Sequence, residues 1–186
     1  ERKKFCNEEN KPMTAYNILR DSEGFYYVFC KLEEIDTVPK FTPDSEKRRR
    51  DLEEYEKRHR QLPFLMSPMI TNGALAIELA FKFLIFKENL EFECEHKLDI
   101  LFLQLPQKYG DELRTKIYEQ IHQNEESLMK NLNQISNLFV EARYFFERDT
   151  IGYSNFFTDL VHLVCDYVID MKKEYIHEED DILADD

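Results

Sequence analysis

The chain contains no tryptophan, four glycines and six prolines among 186 residues. So little punctuation argues against many short strands and turns and favours a few long helices. No Gly-rich phosphate loop, HExxH pair or GxSxG elbow is present, so three common signs of nucleotide cradles, zinc peptidases and serine hydrolases are missing. Cys6, Cys30, Cys94 and Cys165 are scattered, with no Cys-x-x-Cys and no His at zinc-finger spacing. They read as reduced thiols, although an even number leaves two disulfides formally open. No uninterrupted apolar run reaches the roughly 18 residues of a membrane span; residues Ala74 to Phe86 come nearest, and Glu78 and Lys82 interrupt them. The expectation is a cytoplasmic chain without a membrane segment or leader, needing no cofactor.

What the chain does have is apolar bulk and negative charge. Hydrophobic residues make up 42% of it, including 15 Phe and 10 Tyr, enough for one well-buried core at this length. The formal net charge is −13, which repels nucleic-acid backbones and anionic membranes and disfavours non-specific DNA binding. A local RNA or nucleotide site remains compatible with that total, because only a few cations are needed at a phosphate.

Helical periodicity recurs along the chain. A mixed segment from Ala15 to Ile35 carries Tyr16, Leu19, Phe25, Val28, Phe29 and Leu32 toward one side, weakened by Gly24. Thr42 and Pro43 open a strongly charged helix to about Arg60, and Ser67 with Pro68 opens a nearly all-apolar helix to about Glu88 that belongs inside the protein. A short stretch from Leu98 to Leu105 is closed by Pro106, a modest helix spans Asp111 to His122, and Asn124 caps a long one reaching Glu147. Gly152 breaks the chain, Ser154 caps a last helix to about Glu174, and the segment beyond is acidic. The fold class is all-α, a helical bundle with long antiparallel core helices. Residues 1–66 are expected to pack helices on the core rather than form a separate domain, residues 67–174 form the bundle, and 175–186 make a disordered acidic tail.

Glu78 and Lys82 are four residues apart, so they share a face of the apolar helix and can pair. Arg143 and Glu147 repeat that spacing on the second long helix, with Arg143 near the edge of its apolar stripe. Together with Tyr144 and His96 they compose a candidate interhelical polar cluster, either a buried ion-pair network that fixes register or a ligand-binding site. Asp159, His162 and Asp166 share one face of the last helix and are a weak candidate for a divalent metal; the plain reading of that face is solvation. Lys47, Arg48, Arg49 and Arg50 form the one concentrated basic run, but Asp51, Glu53, Glu54 and Glu56 interleave, so a helix laced with i,i+4 pairs is expected there.

Three segments in order resemble the HEPN superfamily, in particular uncharacterised prokaryotic members. They are Ala76, Ile77, Glu78 and Leu79 with Lys82; His96 and Leu98 leading to Leu101, Phe102, Leu105 and Pro106; and Arg143, Tyr144 and Glu147. The resemblance spans roughly Ser67 to Lys172. It implies an antiparallel helical bundle, frequent dimerisation, and a link to defence, toxin–antitoxin or stress systems. Many catalytic members are metal-independent ribonucleases with an Arg, about four to six intervening residues, then His. This chain departs from that pattern: Arg114 and His122 come nearest, with seven residues between them. The expectation is a non-catalytic HEPN-like module binding a protein, RNA or nucleotide partner, or pairing as a homodimer. The alternative is a divergent ribonuclease centred on Arg143.

Overall fold

The computed structural model describes residues 11–36, 45–60, 65–88, 95–142 and 155–172. Among these it contains seven α-helices and no strand: α1 (Lys11–Asp36), α2 (Ser45–His59), α3 (Met66–Lys87), α4 (Leu98–Leu103), α5 (Gln107–Ile121), α6 (Glu125–Ala142) and α7 (Asn155–Asp170). The protein is an all-α helical bundle.

α3 is the axis of the core. Its composition is apolar around nearly the whole circumference, and from Met69 to Ile85 most of its side chains are buried. By length and composition alone α3 could cross a membrane, because a mean over the helix tolerates the two charges that interrupt the run. It is instead packed by α1, α4, α6 and α7. Each fully buried Phe or Leu contributes about 1.5–3 kcal/mol, and Phe81, Phe83 and Leu84 are completely enclosed, so burial rather than intrinsic propensity fixes this helix.

α1 runs antiparallel to α3. Ser22 Oγ donates to the Ala76 carbonyl at 2.8 Å, and further along α1 the ring of Phe29 comes against Gly73, earlier in α3. α1 also runs antiparallel to α7: Lys172 Nζ pairs with Glu23 at 2.6 Å, while Phe29 meets the edge of Phe157 with ring centroids 6.1 Å apart. Gly73 is the close-approach point of all three helices, since a Cβ there would stand 2.7 Å from Phe157 Cζ and 3.0 Å from both Phe29 and Val161. Gly24 leaves α1 unbroken, and a Cβ there would meet nothing.

Several boundaries differ from the sequence expectation. α3 starts at Met66 with Leu65 as an N-cap that offers no side-chain acceptor, so Ser67 and Pro68 sit in its first turn. α5 begins at Gln107, four residues before Asp111, because Pro106 occupies its N-cap and the chain turns directly into the helix. α4 stops at Leu103, two residues short of Leu105. At α6 the expected cap is present: Asn124 Oδ1 accepts from the Ser127 amide at 2.9 Å. Thr42, Pro43, Gly152, Ser154, the far end of the Asn124 helix at Glu147 and the acidic tail lie outside the described residues.

Candidate functional site

The polar pair inside α3 is closed by a third residue from the segment that follows it. Lys82 Nζ donates to Glu78 Oε1 at 2.7 Å, and the Nδ1 of His96 reaches the same oxygen at 2.8 Å. One helical turn separates Glu78 from Lys82, which puts both side chains on one line of the helix. Their side chains are only 6% and 11% exposed, whereas that of His96 is 72% exposed. The carboxylate is therefore a buried hinge pin between a nearly buried ammonium and an imidazole at the surface.

His96 is oriented from both sides. Glu95 Oε1 accepts from the backbone amides of His96 and Lys97 at 2.8 and 2.9 Å; these bonds, the Lys97 one first, hold the Glu95 carboxyl below its ordinary value. Just after it, the Leu98 amide donates to Ser136 Oγ at 2.8 Å, and that hydroxyl donates to the Leu132 carbonyl at 2.9 Å. Ser136 thus ties the start of α4 to α6. Sequence reasoning passed over it; its signal is a hydroxyl on the buried side of α6, beside Leu132 and Ile135.

A carboxylate accepts and does not donate, so Nδ1 of His96 carries the hydrogen, and in the neutral ring Nε2 holds the lone pair. The exposed imidazole makes no other hydrogen bond among the described residues. A carboxylate-anchored ring of this kind can accept a hydrogen bond or a proton at Nε2, or donate to an anion when charged. Of the six residues of the candidate cluster, the structure brings together Glu78, Lys82 and His96. Arg143, Tyr144 and Glu147 lie outside the described residues.

The second candidate set is arranged differently from its sequence reading. Asp159 and Asp166 are exposed on α7, but His162 is drawn into the seam with α1. Its Nδ1 lies 2.8 Å from Tyr26 Oη and its Nε2 lies 2.8 Å from Glu33 Oε2, while Tyr26 Oη donates to Asp166 Oδ1 at 2.8 Å. Both ring nitrogens are thus occupied by polar partners, and no group of three His, Cys, Asp or Glu among the described residues is arranged to hold a metal. This face is an interhelical seam, not only a solvated surface. Tyr26 and Glu33 were not singled out from sequence, since only the docking of α1 on α7 turns them toward His162.

The remaining sequence candidates are engaged locally. Arg114 Nε donates to both Glu125 carboxylate oxygens at 3.1 and 3.0 Å, and its guanidinium lies 5.0 Å from the centre of the Phe102 ring. His122 occupies the left-handed C-cap of α5 with φ of 58°. The basic run lies on α2, where residues 46–50 are all exposed, and ion pairs at i,i+4 join Arg49 to Glu53 at 3.8 Å and Arg60 to Glu56 at 3.3 Å.

No family model matches this chain. No curated protein and no solved structure matches it either. Function has to be read from the chemistry of the residues themselves.

Proposed function

We propose that this chain is a non-catalytic HEPN-like helical module that binds a partner at the rim carrying His96, with RNA or a nucleotide as the ligand class that suits the site. The observation that supports it is the His96–Glu78–Lys82 arrangement, in which a 72% exposed imidazole is anchored through Nδ1 to a buried carboxylate. Such a ring is oriented before the ligand arrives, so little rotamer freedom is lost on binding. Lys97 is exposed beside it and supplies a cation that a phosphate can meet. By resemblance, the module belongs to a prokaryotic defence, toxin–antitoxin or stress system and works in the cytoplasm, as a homodimer or with a protein partner.

A second reading is a divergent metal-independent ribonuclease. What favours it is the same Nδ1 anchor, which leaves the Nε2 lone pair available to take a proton from a ribose hydroxyl, with Arg143 as the cation for the phosphate. One experiment separates the two. Purified protein, wild type and His96→Ala, is mixed with defined RNA in EDTA, and both complex formation and cleavage are followed after equal helicity is verified by circular dichroism. The binding module forms a complex without turnover and loses most of it in His96→Ala. Cleavage by the wild type alone moves the assignment to the nuclease, and neither binding nor cleavage overturns both.

A further inference from the structure

His162 sits at the middle of three contacts of equal length between α1 and α7: Nε2 to Glu33 Oε2, Nδ1 to Tyr26 Oη, and Tyr26 Oη to Asp166 Oδ1, each 2.8 Å. A hydrogen bond holds one proton between its heavy atoms, so three contacts require three protons. Ionised carboxylates supply none, the phenol supplies one, and a neutral imidazole supplies one. The neutral chain is one proton short. An imidazolium supplies the missing proton and gives the whole chain one direction, from Nε2–H to Glu33, from Nδ1–H to Tyr26 Oη, and from Oη–H to Asp166.

We propose that His162 is a proton-operated latch between α1 and α7, closed when its ring is cationic and lacking one of its three hydrogen bonds when the ring is neutral. The phenol keeps its proton throughout, because burial first and the Asp166 hydrogen bond second push Tyr26 well above its ordinary value. The thiol of Cys30, next to Tyr26 in the same seam, is also pushed up by burial and stays uncharged. The charge of the ring is met by Glu33 from α1 and by Asp166 from its own helix. Glu34 on α1 is taken up by Lys31 at 2.8 Å, and Asp159 lies exposed one turn before His162. α3 carries only Glu78, Lys82 and Lys87 as titratable groups, and the first two are joined at the His96 site. The Glu112 and Lys116 side chains of α5 meet α7 at Tyr167, and Glu23 is paired with Lys172 at the end of the seam.

The latch is closed while the ring carries both of its protons and faces two carboxylates, and it opens when the ring gives up the second. Its test is nuclear magnetic resonance on the full 15N-labelled chain over a pH series from about 6 to about 9.5. Long-range imidazole spectra report the ring protons, and amide protection factors, corrected for intrinsic exchange, report the seam. Expected are two N–H groups on His162 at the lower pH, one at the higher, and a loss of protection of roughly five-fold in the facing turns of α1 and α7, the equivalent of one net hydrogen bond. In Glu33→Gln the amide can donate to Nε2, so a neutral ring completes the chain and the pH dependence disappears; Tyr26→Phe removes it by breaking the chain. A wild-type ring with the same number of N–H groups at both ends of the series, or a pH dependence unchanged in Glu33→Gln, overturns the proposal.

Discussion

Glu78 Oε1 accepts from two groups in very different surroundings, the nearly buried Lys82 and the exposed His96. Removing a partner of the buried pair is therefore far more costly than removing the surface ring. Glu78→Ala removes the buried carboxylate that Lys82 and His96 share, and the loss is about 3 kcal/mol. His96→Ala gives up a contact whose other side is solvent and costs about 1 kcal/mol or less. Urea denaturation of both variants checks the contrast, and comparable losses would show that the carboxylate does not act as the buried anchor. Glu78→Gln, which keeps the shape and one acceptor, is expected to fall between them. The Glu78–Lys82 part of this site was legible in the sequence, because the 3.6-residue period puts i and i+4 on one line and two charges in an apolar helix must find partners. That His96 completes it depends on how the segment before α4 returns across α3.

At the scale of the element, α1 and α3 each hold one glycine, and the two have opposite answers. Gly24 was read as a weak point, yet α1 passes through it without interruption, and a Cβ there meets nothing. Gly24→Ala is expected to stabilise the protein by about 0.5–1 kcal/mol through helix propensity alone. Across the groove, Gly73→Ala puts a methyl 2.7 Å from Phe157 Cζ and is expected to destabilise by about 1–3 kcal/mol, since α1, α3 and α7 must separate to admit it. Thermal denaturation of the pair measures both, and loss of stability in Gly24→Ala would overturn the first. The periodicity of α1 reported that Leu19 and Phe29 face inward, whereas Val28, expected on the same side, is 41% exposed; it carried no sign that Gly73 on α3 is a crossing point, because that depends on how α1 and α7 dock there. α2 is the complementary case. Residues 46–50 of it are all exposed, in keeping with its charge pattern, where alternating signs support i,i+4 pairs.

For the molecule as a whole, the described thiols report how tightly the bundle is closed. Cys165 is buried in α7, and burial holds its thiol well above the ordinary value; Cys30 is half-buried and raised for the same leading reason. Alkylation of both at about pH 8, near the ordinary thiol value, is expected to be slower than in the unfolded chain, with Cys165 the slower by at least about ten-fold, because the reactive species is the thiolate and it must first reach solvent. Peptide mapping of the labelled protein reads this directly, and equal labelling of the two would mean that α7 opens as readily as α1. Both thiols are free, in line with their reading as reduced.

The sequence by itself determined the helical class, the identity of α3 as the core axis, the Asn124 cap and the Glu78–Lys82 pair, because helix period, capping chemistry and the avoidance of water by apolar side chains act over a few neighbouring residues. Helix starts governed by proline were less legible, as at Met66 and Gln107, since Pro is compatible with a first turn and with the position just before it. Only the tertiary structure decided that Tyr26 and Glu33 meet His162, that Ser136 ties α4 to α6, and that Gly73 admits Phe29 and Phe157. Those contacts join residues from 38 to 136 positions apart, and at such separations it is the docking of whole helices, not local spacing, that selects which side chains touch.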